Sequence, residues 1–180
     1  HNLAVVYQSR GDGEEARRLF EEALELHRAL GNATMEAYTL NGLTDIVIHH
    51  GDLDAAQRYL ERGLAIQRQL GNKDGIGFSL RQLGEVATRR GDAARAKALL
   101  DEALELFQAI GDSSGLIDIL DSVAGLAALL GQSERAFILA GAGTAWRAGA
   151  DVPRSEPDAA VLNRALEPAR PALDEAAIAA

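Results

Sequence analysis

Four histidines, two runs of acids and two glycine pairs are the residues of this 180-residue chain whose types could do chemistry. His49-His50, with His27 and His1, would suggest a metal site. Adjacent residues on a helix point about 100° apart, so the pair cannot turn both rings to one ion, and a surface pair at a helix C-terminus is expected. Glu21-Glu22-Glu25 and Asp101-Glu102-Glu105 offer the carboxylates that acid–base work needs. They recur at one place in successive helices, on an outer face where water keeps carboxylates ordinary. Gly141-Ala142-Gly143 lacks the lysine of a phosphate loop, and close helix contact is its expected role. Gly75 and Gly77 read as a loose turn. No cysteine is present, so a thiolate metal site, a cysteine nucleophile and a disulfide scaffold are excluded. The expectation is a non-catalytic chain with no cofactor and no metal.

The elements that must position any site are set by glycine. Gly11, Gly31, Gly51, Gly71, Gly91, Gly111 and Gly131 fall at a fixed step of twenty residues. The residues around them alternate in kind, so the unit is forty residues: two helices joined by two different glycine turns. Apolar residues at 3-and-4 spacing, as in Ala16, Leu19, Phe20, Ala23 and Leu24, mark B helices over 13–30, 53–70, 93–110 and 133–148. A helices are expected at 34–50, 74–90 and 114–130, with half of one at 1–10. Glycine ends each helix at positive φ, where it has no Cβ penalty. Arg10, His50 and Arg90 suit the carbonyl ends, and Asp12, Asp52 and Asp92 suit the next N-caps, with a capping box at Asp12 and Glu15. Glu14–Arg18, Arg18–Glu22 and Asp54–Arg58 are i,i+4 pairs. Short links force antiparallel neighbours, so the fold class expected is all-α, a right-handed superhelical solenoid of helical hairpins. Residues 1–150 hold the repeats in units of about 1–30, 31–70, 71–110 and 111–150. A Pro-containing linker over 151–157 and an Ala-rich tail over 158–180 follow, broken by Pro168 and Pro171.

Residues at fixed offsets from these turns resemble the tetratricopeptide repeat (TPR). The set is Leu3-Ala4, Tyr7, Gly11-Asp12, Ala16, Phe20 and Ala23; then Leu43-Thr44, Val47, Gly51-Asp52, Ala56, Leu60 and Gly63. Leu83-Gly84, Ala87, Gly91-Asp92, Ala96, Leu100 and Ala103 follow, with a weaker fourth set from Val123 to Gly143. The period is forty and the closing proline is absent. The wording GDxxxAxxxLxEALEL with an LGN or IGD turn also resembles the C-terminal repeats of bacterial LuxR-type regulators built on STAND ATPase modules.

The TPR resemblance implies a concave groove lined by A helices. Carried onto this sequence, that face holds Tyr38, Asn41, Asp45, Ile48 and His49; then Phe78, Arg81, Glu85, Thr88 and Arg89; then Asp118, Asp121, Gly125 and Leu129. Tyr38 and Phe78 are one repeat apart and fit anchors for a partner peptide. Trp146 is expected to cover the end of the core, and Leu3, Val6 and Tyr7 to form an exposed edge open to self-association. A net charge of −9 argues against nucleic acid or anionic membrane as partner, and no signal segment or membrane span is present. The resulting expectation is a cytoplasmic protein-interaction module, the sensor or scaffold arm of a bacterial signalling or transcriptional regulator. Alternatives are a small-molecule effector receptor and a free-standing TPR adaptor.

Overall fold

The computed structural model describes residues 1–10, 12–150, 154 and 156–172. Among them are nine α-helices and no strand. They are α1 (Asn2–Ser9), α2 (Gly13–Ala29), α3 (Ala33–His49), α4 (Leu53–Leu70), α5 (Lys73–Arg89), α6 (Ala93–Ile110), α7 (Ser113–Leu129), α8 (Ser133–Ala150) and α9 (Glu156–Leu166), followed by a 3₁₀ helix over Glu167–Ala172. Odd-numbered α1–α7 are the expected A helices and even-numbered α2–α8 the B helices. Gly75 and Gly77 lie inside α5, so the loose turn expected there is regular helix instead.

The links from α2 to α8 are two or three residues long, with glycine next to last in each. Gly31, Gly51, Gly71, Gly91, Gly111 and Gly131 have φ between 64° and 80°; the turn at Gly11 lies outside the described residues. The glycine N–H and the next N–H both turn back onto the helix just ended. At the α3–α4 link the Gly51 N–H donates to Ile48 O at 3.1 Å and the Asp52 N–H to Val47 O at 2.9 Å. The Asp52 carboxylate then accepts from the Ala55 N–H at 2.9 Å, so one residue closes one helix and caps the next. Asn32 repeats this with the Met35 N–H at 3.1 Å and Asp92 with the Arg95 N–H at 3.0 Å. At Asp12 only half of the expected box forms. Asp12 accepts from the Glu15 N–H, while the Glu15 carboxylate is drawn to Arg18 one turn on. Arg18 bonds Glu15 and Glu22 at its two ends, and this replaces the expected Glu14 pair.

The chain forms two compact units, His1–Ser79 and Leu80–Ala180, divided within α5. In the first, Ala16, Phe20 and Leu24 of α2 pack with Ala4, Ala37, Leu40, Leu43, Ile46 and Ile66. The contact is close where Phe20 lies over Gly42: a Cβ there would fall 2.5 Å from the ring. In the second, Ala124, Ala127 and Ala128 of α7 meet Ala136 and Ala140 of α8, and Leu162, Leu166 and Ala169 close over them. α9 stops at Leu166 and the chain tightens to 3₁₀ through Pro168 and Pro171, the break expected of those prolines. Of the expected linker, 151–153 and 155 lie outside the described residues, as does the end of the tail, 173–180.

Candidate functional site

On α3, Tyr38 is 50% exposed, Asn41 and Asp45 are half-buried and His49 is exposed. At 100° per residue these four stay within about 60° of one line along the helix. Ile48 lies on the flank of the same face, about 20° from Asn41, yet it is buried in the core, so the groove position expected for it is corrected. Phe78, also in the first unit, is half-buried.

In the second unit the expected residues engage one another or their own chain. Arg81 lies 3.9 Å from Glu85 and donates to the Ser122 hydroxyl at 3.4 Å. Arg89 is half-buried; burial and the like charge of Arg164 lower its pKa against the opposing pull of Glu85. The Thr88 hydroxyl turns back to Gly84 O at 2.9 Å. Gly125 is not open to a partner: Ala165 of α9 lies over it, 3.2 Å from where a Cβ would stand. Leu129 is exposed near the end of α7.

Asp118 and Asp121 hold two arginines. Arg147 Nη2 donates to Asp118 Oδ1 at 2.7 Å and to Asp121 Oδ2 at 2.9 Å. Arg154 grips the same Asp121 with two nitrogens, Nη2 at 2.7 Å and Nε at 3.0 Å, and reaches the Thr144 hydroxyl at 3.3 Å. The side chains of Arg147, Arg154 and Asp121 are 11%, 14% and 16% exposed, so water screens this cluster little. Burial opposes the charge of Arg147, but the bonds to Asp118 and Asp121 outweigh it and raise its pKa. Gly143 makes room, since a Cβ there would stand 3.0 Å from Asp121 Oδ1. Close helix contact is therefore the role of Gly143, while Gly141 faces open space. With Arg147 turned inward, its neighbour Trp146 points away and is 45% exposed, which corrects the expectation that it covers the core.

A second buried charge was not anticipated. Glu36 of α3 has a side chain only 8% exposed, and its Oε1 accepts from Arg28 Nε at 3.3 Å and from Arg62 Nε at 3.1 Å. Burial pushes its pKa up, yet the two arginines together hold it below the usual carboxylate value. Glu36 occupies the place of Ile76 and Leu116 in the later repeats. An acid breaking an apolar column was the available signal.

The candidate metal and acid–base groups are dispersed. Asp45 is one turn before His49, and the His1 and His27 rings are 6.5 Å apart with His1 Nδ1 3.1 Å from the Thr39 hydroxyl. Among the described residues no three His, Asp or Glu side chains gather as a metal site requires. The outer acids are tied to nearby cations: Glu21 to Arg17 at 3.0 Å, Glu22 to Arg18 and Asp101 to Lys97. Among the described residues no helix is long and apolar enough to cross a membrane. The exposed edge expected on α1 is present at Leu3 and Val6, with Tyr7 half-buried.

The family model described as tetratricopeptide repeat matches residues 1–69. No curated protein matches the sequence significantly. Among solved structures the chain is similar to BtubC (BKLC) from P. vanneervenii, with a TM-score of 0.67 and 21% identity over 97% of this chain and 75% of that one. It is also similar to a Podosopora anserina putative kinesin light chain with nearly identical TPR-like repeats, with a TM-score of 0.64 and 21% identity over 96% and 84% of the two chains. A variant form of that protein matches with a TM-score of 0.64 over 93% and 84%. Identity at this level speaks to fold alone. Residues 1–69 thus match the tetratricopeptide repeat, a motif that generally mediates protein–protein interaction, and the fold is all-α and shared with TPR-like structures.

Proposed function

We propose that the chain is a non-catalytic protein-interaction module whose partner, a protein or peptide, docks on the A-helix face around Tyr38. The observation that carries this reading is the exposure of that ring on α3, in line with Asn41, Asp45 and His49. A half-exposed aromatic supplies contact area at low entropic cost, and polar neighbours on the same line supply orientation. Phe78 extends the aromatic character of the first unit. Arg81, Glu85, Arg89, Asp118 and Asp121 serve chiefly to hold the second unit together, because they have charged partners in their own chain. The repeats fill 1–150 and the linker and tail follow them. The net charge of −9 disfavours nucleic acid and anionic lipid.

The test is a peptide library selected on the intact chain. Selected peptides should bind Tyr38→Ala at least about tenfold more weakly and bind a remote variant, Glu134→Ala, unchanged. An equal loss in both variants, or none in Tyr38→Ala, overturns the placement. The module serves, on this reading, as the sensor or scaffold arm of a larger bacterial regulator in the cytoplasm, which rests on the wording of the repeats. A gene encoding a GxxxxGK[ST] loop upstream and a helix-turn-helix segment at either end supports that role. A gene of forty-residue units alone replaces it with a free-standing adaptor.

A further inference from the structure

The outward face of α8 differs in kind from that of the other B helices. Where α2 carries Glu21 and Glu22, α4 Glu61 and Arg62, and α6 Asp101 and Glu102, α8 carries Gly141 and Ala142, and all eight residues are exposed. Ile138 on the same face is 62% exposed, and Ala145 and Gly149 continue it. From Ile138 to Ala150 the only charged residue is Arg147, which is turned inward to Asp118 and Asp121.

We propose that this face is where two copies of the chain meet, α8 against α8, antiparallel about a two-fold axis at Ala142. Three observations select a second copy as the occupant. Ile138 and Trp146 lie four residues to either side of Ala142, so an antiparallel crossing there sets Ile138 of each copy against Trp146 of the other. A patch that is its own complement is what a two-fold interface requires. The residues between are small, which lets two helix backbones approach closely. Finally, a chain of net charge −9 repels its own copy, and the other B helices turn acids outward, whereas between Ile138 and Ala150 this face brings no charge to the contact, Glu134 and Arg135 lying beyond it near the start of α8. The contact is small. One helix of 18 residues is about 27 Å long, and a single helix pair buries less than the roughly 800 Å² per partner of a stable interface. The dimer is therefore weak and reversible, with a Kd on the order of 100 µM.

Trp146 is the sole tryptophan, so its emission reports the contact directly. Between about 1 µM and about 1 mM protein the emission should shift to the blue, in step with a doubling of mass by sedimentation equilibrium. Ala142→Glu, which sets two like charges at the axis, should stay monomeric with concentration-independent emission and an unchanged helical circular dichroism spectrum. Ala142→Arg should do the same, and an equal mixture of the two variants should dimerise again. A wild-type chain that is monomeric throughout overturns the proposal. So does a dimer that survives Ala142→Glu, or one that is lost on Val6→Glu at the apolar edge of α1.

Discussion

Arg147 and Asp121 stand 26 positions apart in the chain and 2.9 Å apart in the fold, and Asp121 is shared with Arg154 on its other side. Removing either arginine leaves the carboxylate one guanidinium; removing both leaves it half-buried with none. Arg147→Ala and Arg154→Ala are each expected to lower stability by about 1–3 kcal/mol. The double variant should cost at least about 0.5 kcal/mol more than the sum. Urea unfolding of the four chains measures this, and strict additivity would show that Asp121 is not the shared partner.

The Glu36 clamp predicts an acid-sensitive contribution. Its folded pKa lies below the unfolded value because Arg62 and Arg28 outweigh burial. The stabilisation is then fully present above the unfolded pKa of about 4.3 and disappears as pH falls through the folded one. Glu36→Gln should cost about 1–3 kcal/mol at pH 7. The gap between the two chains should narrow as pH is lowered below about 4, read from urea midpoints between neutral and acid pH. A gap that widens toward acid would contradict the clamp.

Two helical glycines, one buried in the first turn of α7 and one exposed in the middle of α8, should respond with opposite signs. A Cβ at Gly115 would stand 2.4 Å from the Phe107 ring, whereas at Gly141 it would meet nothing within 4 Å. Gly115→Ala is expected to destabilise by about 1–3 kcal/mol through overpacking. Gly141→Ala should stabilise by about 0.5–1 kcal/mol through helix propensity. Thermal melts at low protein concentration compare them.

Asp52 tests the link. Asp52→Ala removes the cap on α4 and should cost about 1 kcal/mol, while Asp52→Asn keeps an acceptor and should cost much less. Equal losses in both, in the same melts, would mean that the carboxylate charge rather than the cap is what counts.

The helices were legible because their stops are local: a glycine at positive φ and a capping acid stand side by side, and the expected B helices agree with α2, α4 and α6 to within a residue. The exposure of Tyr38 was legible by rotation along one helix, whereas Ile48 shares the flank of Asn41 and the same rotation did not reveal that it is buried. Arg147 was not read as the partner of Asp118 and Asp121, because no short spacing links them. The equivalent positions one and two repeats earlier, Phe107 and Gln67, are each buried, which marks an inward position where an arginine needs acids. Gly125 was expected on the open face, and only the return of α9 covers it.

The links Leu30-Gly31-Asn32 and Leu70-Gly71-Asn72 are the same three residues. A chain cut at both and rejoined would lose one whole period and leave no mark at the seam. The side chains would still register the loss, since Gln82 would arrive where Gly42 now admits the Phe20 ring. The backbone is thus a set of interchangeable parts, while bulk and vacancy act as lock and key that keep them in order.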